Sequence, residues 1–286
     1  MIAADLAIGT VELAAIFALV NVGVVLLYRT TGVLNFAQGY FMLLGAYAMA
    51  AIAPKTGYWP GLILTLVPIA ALGALVYGLL MRFMINAREF AKVITTLMLA
   101  SLLAQIPPAV WGTDVEEIKP PTAAYVPIGS IHLAVADLIT VGIAAVVVVV
   151  VTVWLRSTVM GIRMTAQAGN PLLAAYSGMR VHRLGAIAWA IGAVLGGFAG
   201  IAYAQHTTVS LNLSSIGLSA FPAVVLGGLD SLGGTLLGGL AVSAILTVIG
   251  YFFGSVAGEM IAYGVMMATL LVFPYGFFGS TSTRRL

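Results

Sequence analysis

Thr56-Gly-Tyr-Trp-Pro-Gly-Leu-Ile-Leu-Thr-Leu-Val-Pro-Ile-Ala-Ala-Leu-Gly-Ala-Leu-Val-Tyr-Gly-Leu-Leu-Met81 runs without a charge between Lys55 and Arg82. A helix needs about 20 predominantly apolar residues to cross the hydrocarbon core of a bilayer. This stretch is long enough, and it has company. Residues 30–54, 93–113, 138–155, 231–258 and 260–283 are also free of Asp, Glu, Lys and Arg. The whole chain of 286 residues carries 12 Lys and Arg and 9 Asp and Glu, and 62% of it is hydrophobic. Soluble domains are roughly half apolar, so a mean hydropathy of +1.12 assigns the chain to the membrane. The fold class is all-α, a polytopic transmembrane helical bundle.

Apolar periodicity and length place eight long helices near 7–28, 33–53, 59–81, 92–111, 136–155, 184–204, 234–253 and 259–279. A ninth segment, 215–229, is short and lies between glycines. Little chain remains for a soluble domain, so residues 1–286 form a single membrane domain. No Gly is followed by Lys, which removes the phosphate-cradling G-x-x-x-x-G-K-[ST] pattern. Any ATP used in its work is hydrolysed by another polypeptide. G-x-S-x-G and H-E-x-x-H are missing too, which argues against a hydrolytic enzyme. There is no cysteine, and His132, His182 and His206 stand far apart. No metal site and no cofactor are expected.

The basic residues orient the bundle, because short cytoplasmic loops collect Lys and Arg. Alternate loops hold Arg29, then Arg82, Arg88 and Lys92, then Arg156, Arg163, Arg180 and Arg183; the intervening loops hold Lys55 and Lys119. The N-terminus is therefore expected outside. With 215–229 counted as a crossing the number is nine, and Arg284 and Arg285 fall inside. The pI near 9.2 reflects these membrane-flanking loops and lipid headgroups, and no nucleic-acid partner is expected.

Two glycine patterns bear on packing. Ala188, Gly192, Gly196, Gly200 and Ala204 recur every four residues, a strip of small side chains that lets another backbone approach closely. Gly227, Gly228, Gly233, Gly234, Gly238 and Gly239 surround Asp230. They fit a broken or re-entrant helix beside a cavity, and equally a tight loop between two ordinary helices. Asn35 and Gln38 at the start of the second helix, with Thr95 and Thr96 in the fourth, are polar groups within apolar spans. Such groups either bond to neighbouring helices or face a solvated path. No chain of buried carboxylates or histidines suggests a self-powered pump.

Residues 156–183, RSTVMGIRMTAQAGNPLLAAYSGMRVHR, form the longest predicted cytoplasmic segment, with four arginines and no carboxylate. It reads as one or two short helices. Asn170 can cap a helix beginning at Pro171, and Gly178 can end it. Such a segment suits docking of a soluble partner, or an interfacial helix held by anionic lipid through its arginines.

Three stretches together resemble the permeases of branched-chain amino acid ABC transporters, LivH type. They are Gly32-Val-Leu-Asn-Phe-Ala-Gln-Gly-Tyr-Phe-Met-Leu-Leu-Gly-Ala46, Gly161-Ile-Arg-Met-Thr-Ala-Gln-Ala-Gly-Asn-Pro-Leu-Leu-Ala-Ala-Tyr-Ser-Gly178 and Phe221-Pro-Ala-Val-Val-Leu-Gly-Gly-Leu-Asp-Ser-Leu-Gly-Gly234. Their order and spacing fit, and the likeness covers residues 7–279. The resemblance implies a permease subunit in a bacterial-type cytoplasmic membrane. Its implied partners are a second, LivM-like permease, two cytoplasmic ATPase subunits and an external substrate-binding protein. ATPase coupling falls on Gly161, Arg163, Ala166, Pro171, Ala174, Gly178 and Arg180. The translocation path is expected at Asn35, Phe36, Gln38, Thr95, Thr96, Gly227, Gly228 and Gly233. Family members often carry acidic residues where this chain has Gly169, Leu172 and Leu173, so the arginines and shape are expected to make the ATPase contact. Similar permeases handle urea, short amides or aromatic acids, which remain alternative cargo; a secondary carrier or channel is a more distant reading.

Overall fold

Gly32, at φ +65°, ends the first helix, and the chain beyond it departs from the expected pattern. The computed structural model describes residues 2–279 except 86, 113, 115, 116, 129, 130 and 170. Helix α1 spans Ile2–Thr31. The chain then runs irregularly through residues 32–37 before α2, Gln38–Thr56. The sequence pattern places a helix from 33. Instead Asn35 Oδ1 accepts the Ala37 N–H at 3.1 Å, an Asn turn that competes with helix. Thr96 Oγ1 shares its hydrogen between the Leu34 carbonyl at 3.1 Å and the Val93 carbonyl of its own helix at 2.9 Å. These side chains satisfy backbone groups that a helix would have paired internally, a requirement wherever irregular chain is buried in a membrane protein.

Helix α3 covers Tyr58–Leu79 and is followed by a 3-10 turn, Met81–Met84. Helix α4, Glu89–Ala104, breaks at Gln105 ahead of Pro107 and Pro108 and resumes as α5, Ile106–Val110. The proline-rich loop beyond contains a feature unforeseen from sequence: a hairpin of β1, Tyr125–Ile128, antiparallel to β2, Ile131–Ala134. Helix α6, Val135–Ser157, leads to α7, Val159–Gly169, and α8, Pro171–Tyr176. Helix α9 spans Val181–Ala204. The short ninth segment is two half-helices, α10, Leu213–Ser219, and α11, Phe221–Gly227, separated at Ala220 ahead of Pro222. Helices α12, Leu232–Phe253, and α13, Ser255–Val272, complete the bundle. Helix α13 stops earlier than expected because Pro274 comes next but one, and the tail folds back so that the Phe277 N–H donates to the Leu226 carbonyl at 2.9 Å.

Among the described residues, seven helical segments, counting α4 with α5, are long and apolar enough to span a membrane. Helix α2, 19 residues, is less apolar but well buried. Burial divides the bundle. The most apolar windows of α1 and α9 are 67% and 72% buried, whereas those of the other spans are 17–28% buried. Helices α1 and α9 are therefore the core. The outer helices turn Ile63, Val67, Leu102, Val146, Met260 and Leu271 outward as a lipid-facing apolar surface. Gly9 of α1 lies beside Thr247 of α12, while Gly228 touches Gly279 beyond α13. The start of α1 and the end of α13 thus lie at opposite ends of the bundle, as an odd number of passes requires. Arg284 and Arg285 lie outside the described residues.

The small-residue strip of α9 does what its spacing predicts. A Cβ on Gly200 would strike the Met42 carbonyl of α2, and one on Gly192 would come within 3.1 Å of Leu27 of α1. A second face of the same helix meets α3, where a Cβ on Gly73 would collide with the Trp189 carbonyl, and Gly45 of α2 abuts Gly197. Backbone thus meets backbone on two faces of one helix, the close approach that drives association where lipid and side chain are equally apolar. Gly264 of α13, by contrast, has open space around its Cβ position. Gly45→Ala is expected to lower stability by about 1–3 kcal/mol through overpacking, and Gly264→Ala to leave it unchanged. Thermal unfolding in lipid nanodiscs distinguishes the two.

Candidate functional site

The predicted path residues do not form one cluster. Asn35, Gln38 and Thr96 are fully buried and meet at the irregular 32–37 segment. Asn35 Nδ2 donates to Gln38 Oε1 at 3.1 Å, and Gln38 Nε2 donates to the Gly192 carbonyl at 2.9 Å. Gln38 occupies a notch lined by glycines of two other helices. A Cβ would come within 2.7 Å of its amide nitrogen from Gly23 of α1, and within 2.9 Å from Gly196 of α9. One amide therefore locks α2 to α1 and α9 roughly halfway along α9. Thr95 is separate, its hydroxyl turned to the Ala91 carbonyl of its own helix at 2.8 Å.

Phe36 is partly exposed and stacks on Phe221, with ring centroids 4.8 Å apart and planes 3° from parallel. The pair joins the irregular start of α2 to the start of α11. Gly39 and Gly217 bring α2 and α10 together just beyond it, since a Cβ on either would collide with the other's helix. Gly227 sits at the far end of α11 against Gly234 of α12, Gly228 (φ +94°) makes the turn, and Gly233 is exposed with open space around it. The glycine-rich stretch combines both sequence readings: a broken half-helix pair, then a tight turn through Gly228–Ser231. Phe221 is not among the expected path residues; its partner in the stack lies far away in the chain and no local pattern marks it.

The predicted coupling segment is two helices, as expected. Helix α6 ends at Thr158, whose Oγ1 accepts the Gly161 N–H at 3.1 Å. Gly161 lies directly on the Leu155 backbone, so the corner between α6 and α7 admits no side chain there. Gly161, Met164 and Gln167, three apart, form the inner face of α7. Met164 is wholly buried, and Gln167 Nε2 donates to the Thr30 carbonyl at 3.0 Å. That carbonyl belongs to the last turn of α1 and has no intrahelical partner. The three-residue spacing is the signal that could have marked Gln167, which is absent from the expected coupling residues. Arg163 and Ala166 face outward.

Pro171 opens α8; Asn170, its expected cap, lies outside the described residues. Ala174 of α8 is buried, while Leu172, Leu173 and Tyr176 are exposed, Tyr176 by 87%. Gly178 ends the helix with φ +76°. The Met179 N–H bonds to the Ala174 carbonyl at 3.1 Å and the Gly178 N–H to that of Ala175 at 3.0 Å, a Schellman closure with glycine at its left-handed position. Arg163, Arg180 and Arg183 line a groove of about 590 Å³ whose floor includes Met160, Leu184 and Ile187. No carboxylate lines it among the described residues. The surface is a positively charged groove beside an apolar ridge, held on the end of α1.

Residues 6–272 match the family model described as branched-chain amino acid transport system / permease component. The chain belongs to this permease family. It is 27% identical to the probable branched-chain amino acid transport permease protein LivH of Methanocaldococcus jannaschii, covering 95% of this chain and 91% of that one. It is 22% identical to the high-affinity branched-chain amino acid transport system permease protein LivH of Escherichia coli K12, covering 96% and 95%. Among solved structures, PsaBC from Streptococcus pneumoniae in complex with Fab has a TM-score of 0.51 at 14% identity, over 93% of this chain and 91% of that one; this likeness concerns the fold. As a member of this family the chain is a multi-pass transport permease.

The two threonines offer a direct contrast. Thr96→Val leaves the Leu34 carbonyl without its buried donor and is expected to cost about 1–3 kcal/mol. Thr95→Val removes only a bond within its own helix and should be near neutral. Thermal melts of the two purified variants are the measurement.

Proposed function

We propose that this chain is the permease subunit of an ATP-driven importer of branched-chain amino acids. It works by alternating access beside a second, LivM-like permease, with two cytoplasmic ATPase subunits and an external substrate-binding protein. The N-terminus lies outside and the α7–α8 end faces the cytoplasm, as the loop arginines favour. The observation that carries the reading is the surface formed by α7 and α8: an apolar ridge and an arginine groove fixed to the end of a central helix.

The fixing supplies a route for force. Displacement of α7 by an ATPase draws on the Gln167–Thr30 bond and the buried Met164, and so on α1. Helix α1 packs on α9 and α12, so the pull reaches the Gln38 notch and the Phe36–Phe221 stack. Such coupling does work only if the ATPase grips the two conformations with unequal affinity. Arg163, Ala166 and Arg180 present the coupling surface, and Gly161, Pro171, Ala174 and Gly178 shape the segment that carries it. The path runs where the irregular 32–37 segment meets α10 and α11, with Phe36 exposed to it and Asn35, Gln38 and Thr96 holding its wall; Gly227 and Gly228 set the turn at its inner end. Branched-chain amino acids are favoured as cargo by the family and by the relatives' names.

Reconstitution with co-purified partners tests the reading. Gly178→Pro removes the left-handed closure of α8, and Arg163→Glu reverses charge in the groove. Both are expected to abolish ATP-driven leucine uptake into proteoliposomes while insertion stays normal. Ordinary uptake by both variants would reject the coupling surface. Leucine accumulation by the isolated chain without ATPase would reject the importer itself.

A further inference from the structure

At the end of the bundle opposite the arginine groove, three donors converge from distant parts of the chain. Glu12 lies on α1, Asp137 in the first turn of α6, and His206 just beyond α9. One ligand atom from each lies within 4.8 Å of the others. His206 Nδ1 is 3.5 Å from Asp137 Oδ1, and the two side chains are only 28% and 19% exposed. We infer that Glu12, Asp137 and His206 form a binding site for a divalent transition-metal ion of the Zn²⁺ class.

The 3.5 Å between His206 and Asp137 already suits it, and the other donor pairs, at up to 4.8 Å, need only draw in by about an ångström around an ion. Zinc ligands stand roughly 2.0–2.2 Å from the metal, which separates tetrahedral neighbours by about 3.3–3.5 Å. One imidazole nitrogen with two carboxylate oxygens favours a borderline ion such as Zn²⁺ over Mg²⁺ or Ca²⁺, which prefer oxygen alone. Two carboxylates drawn together in a half-buried place are stabilised by a shared proton or by a cation, and an ion held by both of them and by His206 is one such cation.

That cavity is the second observation. It measures about 250 Å³ and is lined by Pro120, Thr122, Tyr125, Asp137, Gln205 and His206 among others. It leaves room for water as a fourth ligand. Gln205 Nε2 donates to the Tyr58 hydroxyl at 2.9 Å. Its Oε1 is buried with no hydrogen-bond partner among the described residues, and can accept from a metal-bound water, the outer-shell contact that orients such sites. Spacing along the chain does not reveal the site, because each of three separate segments contributes a single donor.

The test is Zn²⁺ titration of the full chain in lipid nanodiscs, purified without a histidine tag, against a chromophoric zinc indicator. Thermal unfolding with and without Zn²⁺ is recorded in parallel. One saturable site per chain and a zinc-dependent rise in Tm are expected. Glu12→Gln, Asp137→Asn and His206→Ala should each weaken binding by roughly tenfold or more. His182→Ala, which alters an exposed histidine at the other end of α9, should not. The zinc-free Tm shows whether each variant folds. A chain with no saturable zinc binding, or binding that survives all three folded variants or falls equally in His182→Ala, overturns the site. The readout is independent of transport.

Discussion

Close approach of bare backbones around α9 is the constraint on which this architecture depends. In lipid, helices gain nothing by hiding apolar side chains from one another, so fit and a few internal hydrogen bonds must hold them. Helix α9 meets α1, α2 and α3 through Gly192, Gly196, Gly197 and Gly200, and its partners answer with Gly23, Gly45 and Gly73. The Gln38 amide fills the notch these glycines leave and bonds across it. Any larger residue at Gly23 or Gly196 would push against that amide, and separation of the helices would strand it. Packing and polar satisfaction here are a single interaction.

This arrangement assigns different work to the polar residues. Asn35, Gln38 and Thr96 hold an irregular stretch of chain in a buried place, while Phe36 keeps part of its ring exposed beside them. A transporter has need of both. A segment that is not helical can shift without breaking a helical ladder, yet its carbonyls and amides must stay paired throughout. Thr96 reaching Leu34 from another helix is one such pairing. The stacked Phe36 and Phe221 then join two interrupted elements.

Much of the bundle is legible in composition and spacing. Eight long helices and one short segment stand near their expected places, the four-residue strip of α9 is an interface, and Gly178 closes α8. What escapes has a common cause. The break at residues 32–37 depends on Thr96, about sixty residues away; the hairpin at Tyr125–Ala134 lies in a loop without strong alternation; the Gln167–Thr30 bond and the Glu12, Asp137 and His206 convergence join separate helices. Periodicity reports which face of an element is apolar. It does not say which distant element that face meets, and each of these features turns on that meeting.

The tail after α13 bears on how the molecule is made. Its Phe277 amide caps a carbonyl of α11, and Gly276 and Gly279 nestle against Val225 and Gly228. The interrupted helix at residues 213–227 is thus completed by residues 276–279, which are made only after two further helices. Before they emerge, the Leu226 carbonyl and the Gly228 turn lack this cover, so the wall that α10 and α11 form is finished only once α12 and α13 have been made.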